Sequence, residues 1–509
     1  MKSRIRRQIA RRNKKIDKQL ANAVRPNFGK PVLGRGSIRY ELSQKVQAVD
    51  SGGIGLMQAL VKKIGLAEAI DARLSLLKMY MPYHESDHVL TIAFNILCGG
   101  RVLEEIEYRR RDPAFLAAFG AKSIPDPTTA GDFCRRFSEN DLWALMDAYN
   151  DARVRVWEQH PSLTTQTARI DADGSLVSTT GECKEGMDLS YNGIWGYHPL
   201  LVSLANTQEP LYVVNRSGNR PSHDGAAGVM DKAIALCRRA GFEDILLRGD
   251  TDFYMTRHLD RWHADGVRFV FGVDANKWMK GRADSQPESL YEDLVRKVER
   301  EVKTQPRRRP ENVKERIVKE RRYENRRLDS EQLVEFYHRP SRCRDTYRVI
   351  ALRKNLTVER GECALFDEIR YFFYITNDDE MPAAQVVFES NQRCNQENLI
   401  EQLKNGVRAL HAPVNTLNAN WAYMVCASLA WSLKAWAALL LPLSPRWLAR
   451  HLRDQKRLLS MDFRTFVQRF ITIPAQIIQS ARRRIYRVIG NSVELELFFR
   501  LLDGVDIRT

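Results

Sequence analysis

Ile170-Asp171-Ala172-Asp173-Gly174-Ser175 places two carboxylates inside an apolar run. Side chains alternate between the two faces of a strand, so Asp171 and Asp173 share one face. Residues of β type flank the pair from Thr167 to Leu176, and the helical pattern that precedes it stops there. This is where a sheet begins.

Downstream, an apolar run from Tyr197 to Ala205 follows a turn region rich in Gly and Asn. A third run, Pro210 to Val214, follows the break Asn206-Thr207-Gln208. Short strands separated by turns predict an antiparallel meander. A polar loop, Asn215 to Arg220, leads to a helix expected over about 225–240. Asp244-Ile245-Leu246-Leu247-Arg248-Gly249-Asp250 reads as a buried strand ending in an acid. A helix near 255–264 and a strand near 267–273 complete a strand–helix alternation. A meander followed by such alternation predicts an α/β core, a mixed sheet with helices on its faces.

Residues 275–365 interrupt this core. Their early part is charged and helix-like, with Pro306-Arg307-Arg308-Arg309-Pro310 as a basic turn. Their later part carries β-type residues, so a β-rich insertion is expected. The core resumes with the strand Ile369 to Asn377 and a long helix over about 383–410. Upstream, apolar residues recur at three- and four-residue spacing, with breaks at Cys98-Gly99-Gly100 and Ser123 to Pro127. Asp126 or Thr128 would cap a helix carrying Arg135 and Arg136. A helical DNA-binding domain and a plain helical bundle share this periodicity. The expected division is a basic arm over 1–52, a helical domain over 53–160, the core over 161–274 and 366–411, the insertion over 275–365, and a helical region over 412–509.

Charge points to the partner. Lys and Arg number 80 against 63 Asp and Glu, a net +17 with a pI near 9.5. Such an excess favours a polyanion, nucleic acid above all. Nine of the first 20 residues are Lys or Arg. Such an arm adds affinity through phosphates but reads no bases; a solvated tail is the plainer alternative. The eight cysteines are scattered without metal-ligand spacing, which argues against a zinc module or a disulfide scaffold and fits a reducing compartment. No secretory signal opens the chain. The stretch Trp421 to Leu441 is apolar, but Lys434 in its middle favours a buried helix over a membrane span.

Two strand-end acids on neighbouring strands, Asp173 or Asp171 with Asp250, would bring carboxylates within reach of one ion. Oxygen donors without a histidine cluster suit Mg2+ rather than zinc. For any single acid, a turn cap or a solvated strand end is the plainer reading. On the later helix Arg393, Glu397 and Lys404 fall within about 40° of one another, one acid flanked by two bases on one face. The plainer reading there is an exposed, salt-bridged face, to which Glu401 would also belong.

Taken together, Asp173 with x-Ser after it, Arg248-Gly249-Asp250-Thr251-Asp252-Phe253, and Arg393 with Glu397 and Lys404 resemble the DDE transposases, bacterial insertion-sequence enzymes. The branch resembled has a β-rich insertion between its second Asp and its Glu, and a Tyr-x-x-Arg-x-x-x-Glu-x-x-x-x-x-x-Lys signature. Gly196-Tyr197-His198-Pro199-Leu200 and Gly218-Asn219 also look like its core segments. The resemblance implies an RNase H-like sheet with flanking helices. It implies that Asp173, Asp250 and Glu397 are the catalytic acids and hold two Mg2+ ions, for which Mn2+ substitutes. It selects Asp173 with Asp171 as its rival, and strand-end placement favours Asp250 over Asp252. Arg393 and Lys404 would clamp phosphates. Ser390 stands where the signature has Tyr, keeping a hydroxyl but offering no ring. Trp278, at the entry to the insertion, would stack on an unpaired base.

The implied function is cut-and-paste transposition. The enzyme binds terminal inverted repeats through its helical N-terminal region, hydrolyses the ends through hairpins, and joins the 3′-OH to target DNA. Double-stranded DNA, transposon ends and target, is the partner. A homodimer on DNA is expected, its C-terminal helices packed on the core, in the bacterial cytoplasm at the nucleoid and off membranes. A non-catalytic transposase-derived DNA-binding protein and a structure-specific RNase H-like nuclease are the alternatives.

Overall fold

A computed structural model describes residues 3–22, 39–41, 46–77, 82–181, 183–294, 321–361, 363–480, 483–489 and 494–505. The expected basic turn at 306–310 lies outside the described residues.

The acidic pair falls on the first strand of a nine-stranded sheet. Its strands are β1 (Ala168–Gly174), β2 (Leu200–Leu204), β3 (Glu209–Val214), β4 (Ile245–Gly249), β5 (Arg268–Val273), β6 (Glu292–Asp293), β7 (Glu324–His338), β8 (Tyr347–Arg360) and β9 (Cys363–Thr376). Their spatial order is β3-β2-β1-β4-β5-β9-β8-β7-β6. The meander β1-β2-β3 is antiparallel, while β1, β4 and β5 run parallel. Parallel neighbours need crossover helices, and α1 (Ala226–Arg239) and α2 (Thr256–Ala264) supply them. Strands β4 and β5 are almost wholly buried and largely apolar on both faces, as a helix-covered sheet requires.

The insertion is not a separate layer. Strand β9 pairs with β5, and β8 and β7 follow it, so the core sheet simply continues outward. The boundary expected at 365 therefore falls inside β9. Long strands that share a ladder with the core satisfy their backbone groups without a sheet of their own.

The long helix expected over 383–410 is broken. It forms α3 (Ala383–Gln392) and α4 (Cys394–Glu401), followed by a π-helical segment at Gln402–Gly406, with a turn at Arg393. Beyond it, Arg408 has a positive φ of 57°, which ends helical continuation.

Helix α5 (Leu417–Leu439) is the one described helix long and apolar enough to cross a membrane, and it is wholly buried inside the protein. It packs against helices Glu85–Leu97 and Glu139–Trp157 and against β3. A helix apolar all round belongs at a core centre. The buried Glu209 carboxylate fastens it, accepting from Arg153 Nε at 2.9 Å, Trp157 Nε1 at 3.0 Å and Trp436 Nε1 at 2.6 Å. Lys434 is accommodated by donating to Leu459 O at 2.8 Å and lying 3.7 Å over the Trp431 ring.

The C-terminal region, expected to be helical, also contains a hairpin, Ala475–Ser480 with Arg483–Val488, and the strand Gln47–Val49 pairs with it. Val49, Ala475 and Ile477 cover Phe115 and Ala118, so the end of the expected arm is part of a small apolar cluster. Residues Ser3–Ala21 of that arm are helical, with Ile9 against the core and most basic side chains exposed.

Candidate active site

The register of β1 with β4 decides where the acids lie. Asp171 stands beside Arg248, so Asp173 is at the end of β1 and Asp250 lies just past the end of β4. Parallel neighbours finish at the same edge of the sheet, which brings both carboxylates to one rim. Asp250 is held there by the single 3-10 turn Thr251–Phe253, its Oδ1 accepting from Asp252 N at 3.0 Å. Gly249 is needed at this corner, because a Cβ would lie 2.6 Å from Phe253 Cβ. Asp252 itself is exposed.

Asp171 and Asp173 share a face but not a role. Arg248 Nε and NH2 donate to the two Asp171 oxygens at 2.7 and 2.9 Å, and both side chains are fully buried. Arg248 NH1 also donates to Glu389 Oε2 at 2.9 Å, and Arg169 forks onto the same carboxylate at 2.8 and 2.9 Å. One buried cation thus ties β1, β4 and α3 together. Both oxygens of Asp171 are thus engaged by a buried cation, and a buried pair of this kind is costly to break.

The helix beyond α3 is fastened to the same strands. Gln396 Nε2 donates to Asp171 O and Leu201 O, each at 3.2 Å. Arg393, at the break between α3 and α4, turns its guanidinium between the rim acids. NH1 lies 3.3 Å from Asp173 Oδ2 and NH2 3.8 Å from Asp250 Oδ2. Arg393 N is bonded to Ser390 O at 3.2 Å, which sets the turn. Ser390 is half-buried.

Electrostatics mark this rim as short of positive charge. Burial pushes Asp173 up to about 6. Arg393 works against that push, while the Asp250 and Glu397 carboxylates add to it. Burial likewise raises Asp250, again opposed by Arg393. Half-burial lowers Lys404, which feels Glu401 and Asp173. Lys404 is thus within electrostatic range of Asp173, although it is carried by the π-helical segment. Glu397 is exposed at the first turn of α4. His198, buried beside Gly174, donates from Nδ1 to Arg220 O over 2.7 Å and also feels Asp252 and Lys404.

The tertiary structure therefore gathers Asp173, Asp250 and Arg393 in direct contact, with Glu397 and Lys404 in electrostatic range of Asp173. Trp278 stands elsewhere, on the helix Lys277–Asp284. It is 52% exposed, its ring 4.6 Å from His338 and under Arg282 at 5.8 Å. Sequence reading missed Glu389, Gln396 and Arg169. Glu389 carried a signal, an acid among Val386, Val387 and the apolar face of a helix, which only a buried cation can satisfy.

The donor set suits a hard divalent cation, because Asp173, Asp250 and Glu397 offer carboxylate oxygens. Among the described residues no three His, Cys, Asp or Glu side chains already converge as a ready-made metal cluster. Arg393 supplies the positive charge between Asp173 and Asp250.

A family profile described as Transposase DDE domain group 1 matches residues 46–506. No curated protein matches the chain. Among solved structures, the chain is similar to a piggyBac transposase in a synaptic complex with hairpin DNA. The two are 10% identical, the match covers 84% of this chain and 83% of that one, and the TM-score is 0.33.

Proposed function

The chain belongs to the Transposase DDE domain group 1 family, and from that premise we propose that Asp173, Asp250 and Glu397 are its catalytic acids, acting on DNA ends. The observation that carries the assignment is the shared rim. Adjacent parallel strands β1 and β4 carry Asp173 and Asp250 to one edge, and the segment after the insertion sets Arg393 between them, with Glu397 in electrostatic range of Asp173. The order β3-β2-β1-β4-β5, in which β2 alone runs opposite to the other four, supports an RNase H-like core.

Enzymes of this family use divalent metal ions. Two Mg2+ ions, or Mn2+ in their place, would be held by Asp173, Asp250 and Glu397, supplying an activated water and charge stabilisation at the leaving 3′ oxygen. The protein's own part is positioning. Arg393 and Lys404 bind phosphates beside the scissile bond, Arg with a planar fork and Lys as a point charge. Ser390 offers one hydroxyl to the same backbone, and exposed Trp278 offers a face on which an unpaired base stacks in a hairpin step. The Arg248–Asp171–Glu389 assembly and Gln396 keep the acids in register.

On this reading the enzyme binds the inverted repeats of its element as a homodimer, cuts through hairpin ends and joins the 3′-OH to target DNA. It acts in the bacterial cytoplasm. Residues 53–160 recognise the ends, 161–274 with 366–411 form the catalytic core, 275–365 the insertion, and the arm within 1–52 adds phosphate contacts. The test is Mg2+-dependent cleavage and joining of DNA carrying the element's ends. Absence of cleavage would leave only a DNA-binding protein, and cleavage without joining would make it a nuclease.

A further inference from the structure

Strand β9 outruns its inner neighbour. β8 pairs with it from Cys363 to Thr376, but β5 pairs only with Phe373 to Thr376. From Cys363 to Phe372 the inner edge of β9 meets no described strand. Large apolar side chains stand exposed along it, Phe366 at 59%, Ile369 at 57% and Phe372 at 42%, between the charged Asp367, Glu368 and Arg370. A long free edge of this kind is a template for pairing unless it is blunted by charge, proline or a cover.

The sequence along the edge says what fits it. The pairing with β8 shifts register between Val358 and Glu359, skipping Leu365, and runs regularly from Phe366 onward. Phe366-Asp367-Glu368-Ile369-Arg370-Tyr371-Phe372 is self-complementary about Ile369. When two such strands pair antiparallel about a two-fold axis at Ile369, residues equally far from it on either side face each other. Glu368 then faces the partner subunit's Arg370, and the reverse pair repeats it. Phe366 faces the partner subunit's Phe372, also twice. All four side chains lie on one face of the strand, so the pairs meet directly. Within one chain that face is already an ion-pair surface. Glu368 accepts from Arg370 Nε at 2.7 Å and from Arg326 Nε at 2.9 Å, and Lys354 lies 5.0 Å over the Phe372 ring.

We propose that the free edge of β9 is a self-association surface, on which a second copy of this chain pairs β9 to β9 about Ile369 and joins the two sheets. The partner is a copy of this chain because both the charge order and the aromatic order match their own reversal. Seven residues span about 24 Å, less than a standard interface covers, so association of the free protein is weak. The inference stands on the strand edge alone and does not depend on the acidic rim.

Sedimentation velocity of the full chain without DNA, at concentrations up to about 200 μM, tests it. The wild type is expected to form dimers. Glu368→Arg and Arg370→Glu should each weaken dimerisation about tenfold or more, because like charges then face each other twice. An equimolar mixture of the two variants should restore it, since every facing pair again joins opposite charges. Restoration by mixing separates a contact between copies from the pair within one chain, and it cannot arise from misfolded variants. Asp173→Asn should dimerise like the wild type, so a failed cleavage assay leaves this test standing. A wild type that stays monomeric overturns the proposal. So does a mixture no better than its components. Charge reversals without effect also overturn it.

Discussion

Arg248 grips Asp171 through two parallel hydrogen bonds of 2.7 and 2.9 Å, deep in the sheet, while Asp173, two residues along the same face, reaches the open rim. The two acids should therefore respond oppositely to neutralisation. Asp171→Asn leaves Arg248 buried with half its partners, and breaking such a pair costs about 3–5 kcal/mol. Asp173→Asn removes a carboxylate that burial already disfavours, so at neutral pH stability should hold or rise, by up to about 3 kcal/mol, while cleavage is lost. Urea titrations beside cleavage assays read both. A stable Asp171→Asn protein without activity, paired with an active Asp173→Asn protein, would reverse the assignment.

The raised Asp173 carboxyl gives the metal-free protein a pH signature. Burial lifts it to about 6, above its value in the unfolded chain. Between about pH 4 and 6 the folded state holds a proton that the unfolded chain has released. The stability this group contributes is present in full below about pH 4 and is lost as pH rises through about 6, a change of up to about 3 kcal/mol. Thermal melts in chelator should show a downward trend over that window in the wild type that Asp173→Asn lacks. Millimolar Mg2+ should raise the wild-type melting point above pH 6 and leave the variant's unchanged.

Glu397 is exposed at the start of α4, so its substitution tests chemistry without disturbing the core. Glu397→Gln should cut cleavage by at least about a hundredfold with an unchanged melting point, whereas Glu401→Gln on the same helix should stay within a few-fold of wild type. Full activity of Glu397→Gln would remove it from the acidic set.

Trp278 is half-exposed at the base of the insertion. Trp278→Ala should change stability by less than about 1 kcal/mol. Hairpin ends, resolved on denaturing gels, should accumulate less while the first nick is retained. An equal loss of nicking would place the ring in general DNA binding instead.

Lys434 offers a test of the core. Burial in α5 lowers its amine to about 7, with Asp462 acting in the opposite direction. The unfolded chain holds a proton between about pH 7 and 10 that the folded state gives up, so stability should rise with pH across that range. Lys434→Met should stabilise the protein at pH 7 by on the order of 1–3 kcal/mol and flatten the dependence. Denaturant titrations at pH 7 and 9.5 would show it.

The meander from Ala168 to Val214 and the strand–helix alternation from Ala226 to Val273 were legible in the residues, because period-two and period-3.6 patterns are local. So were the strand-end positions of Asp173 and Asp250. The choice between Asp171 and Asp173 within one alternating face was not. Alternation tells which side of a strand a residue faces, and only the long-range pairing of β1 with β4 tells which position meets Arg248. The same holds for Glu389, whose partners lie on two strands far away in the chain, and for the break at Arg393, where the helix bends to set a guanidinium between two carboxylates. By itself the sequence determined the elements and the acids available to them. The tertiary structure decided which acid is spent on a buried cation and which is left at the rim, because register is a property of pairs of strands rather than of any one of them.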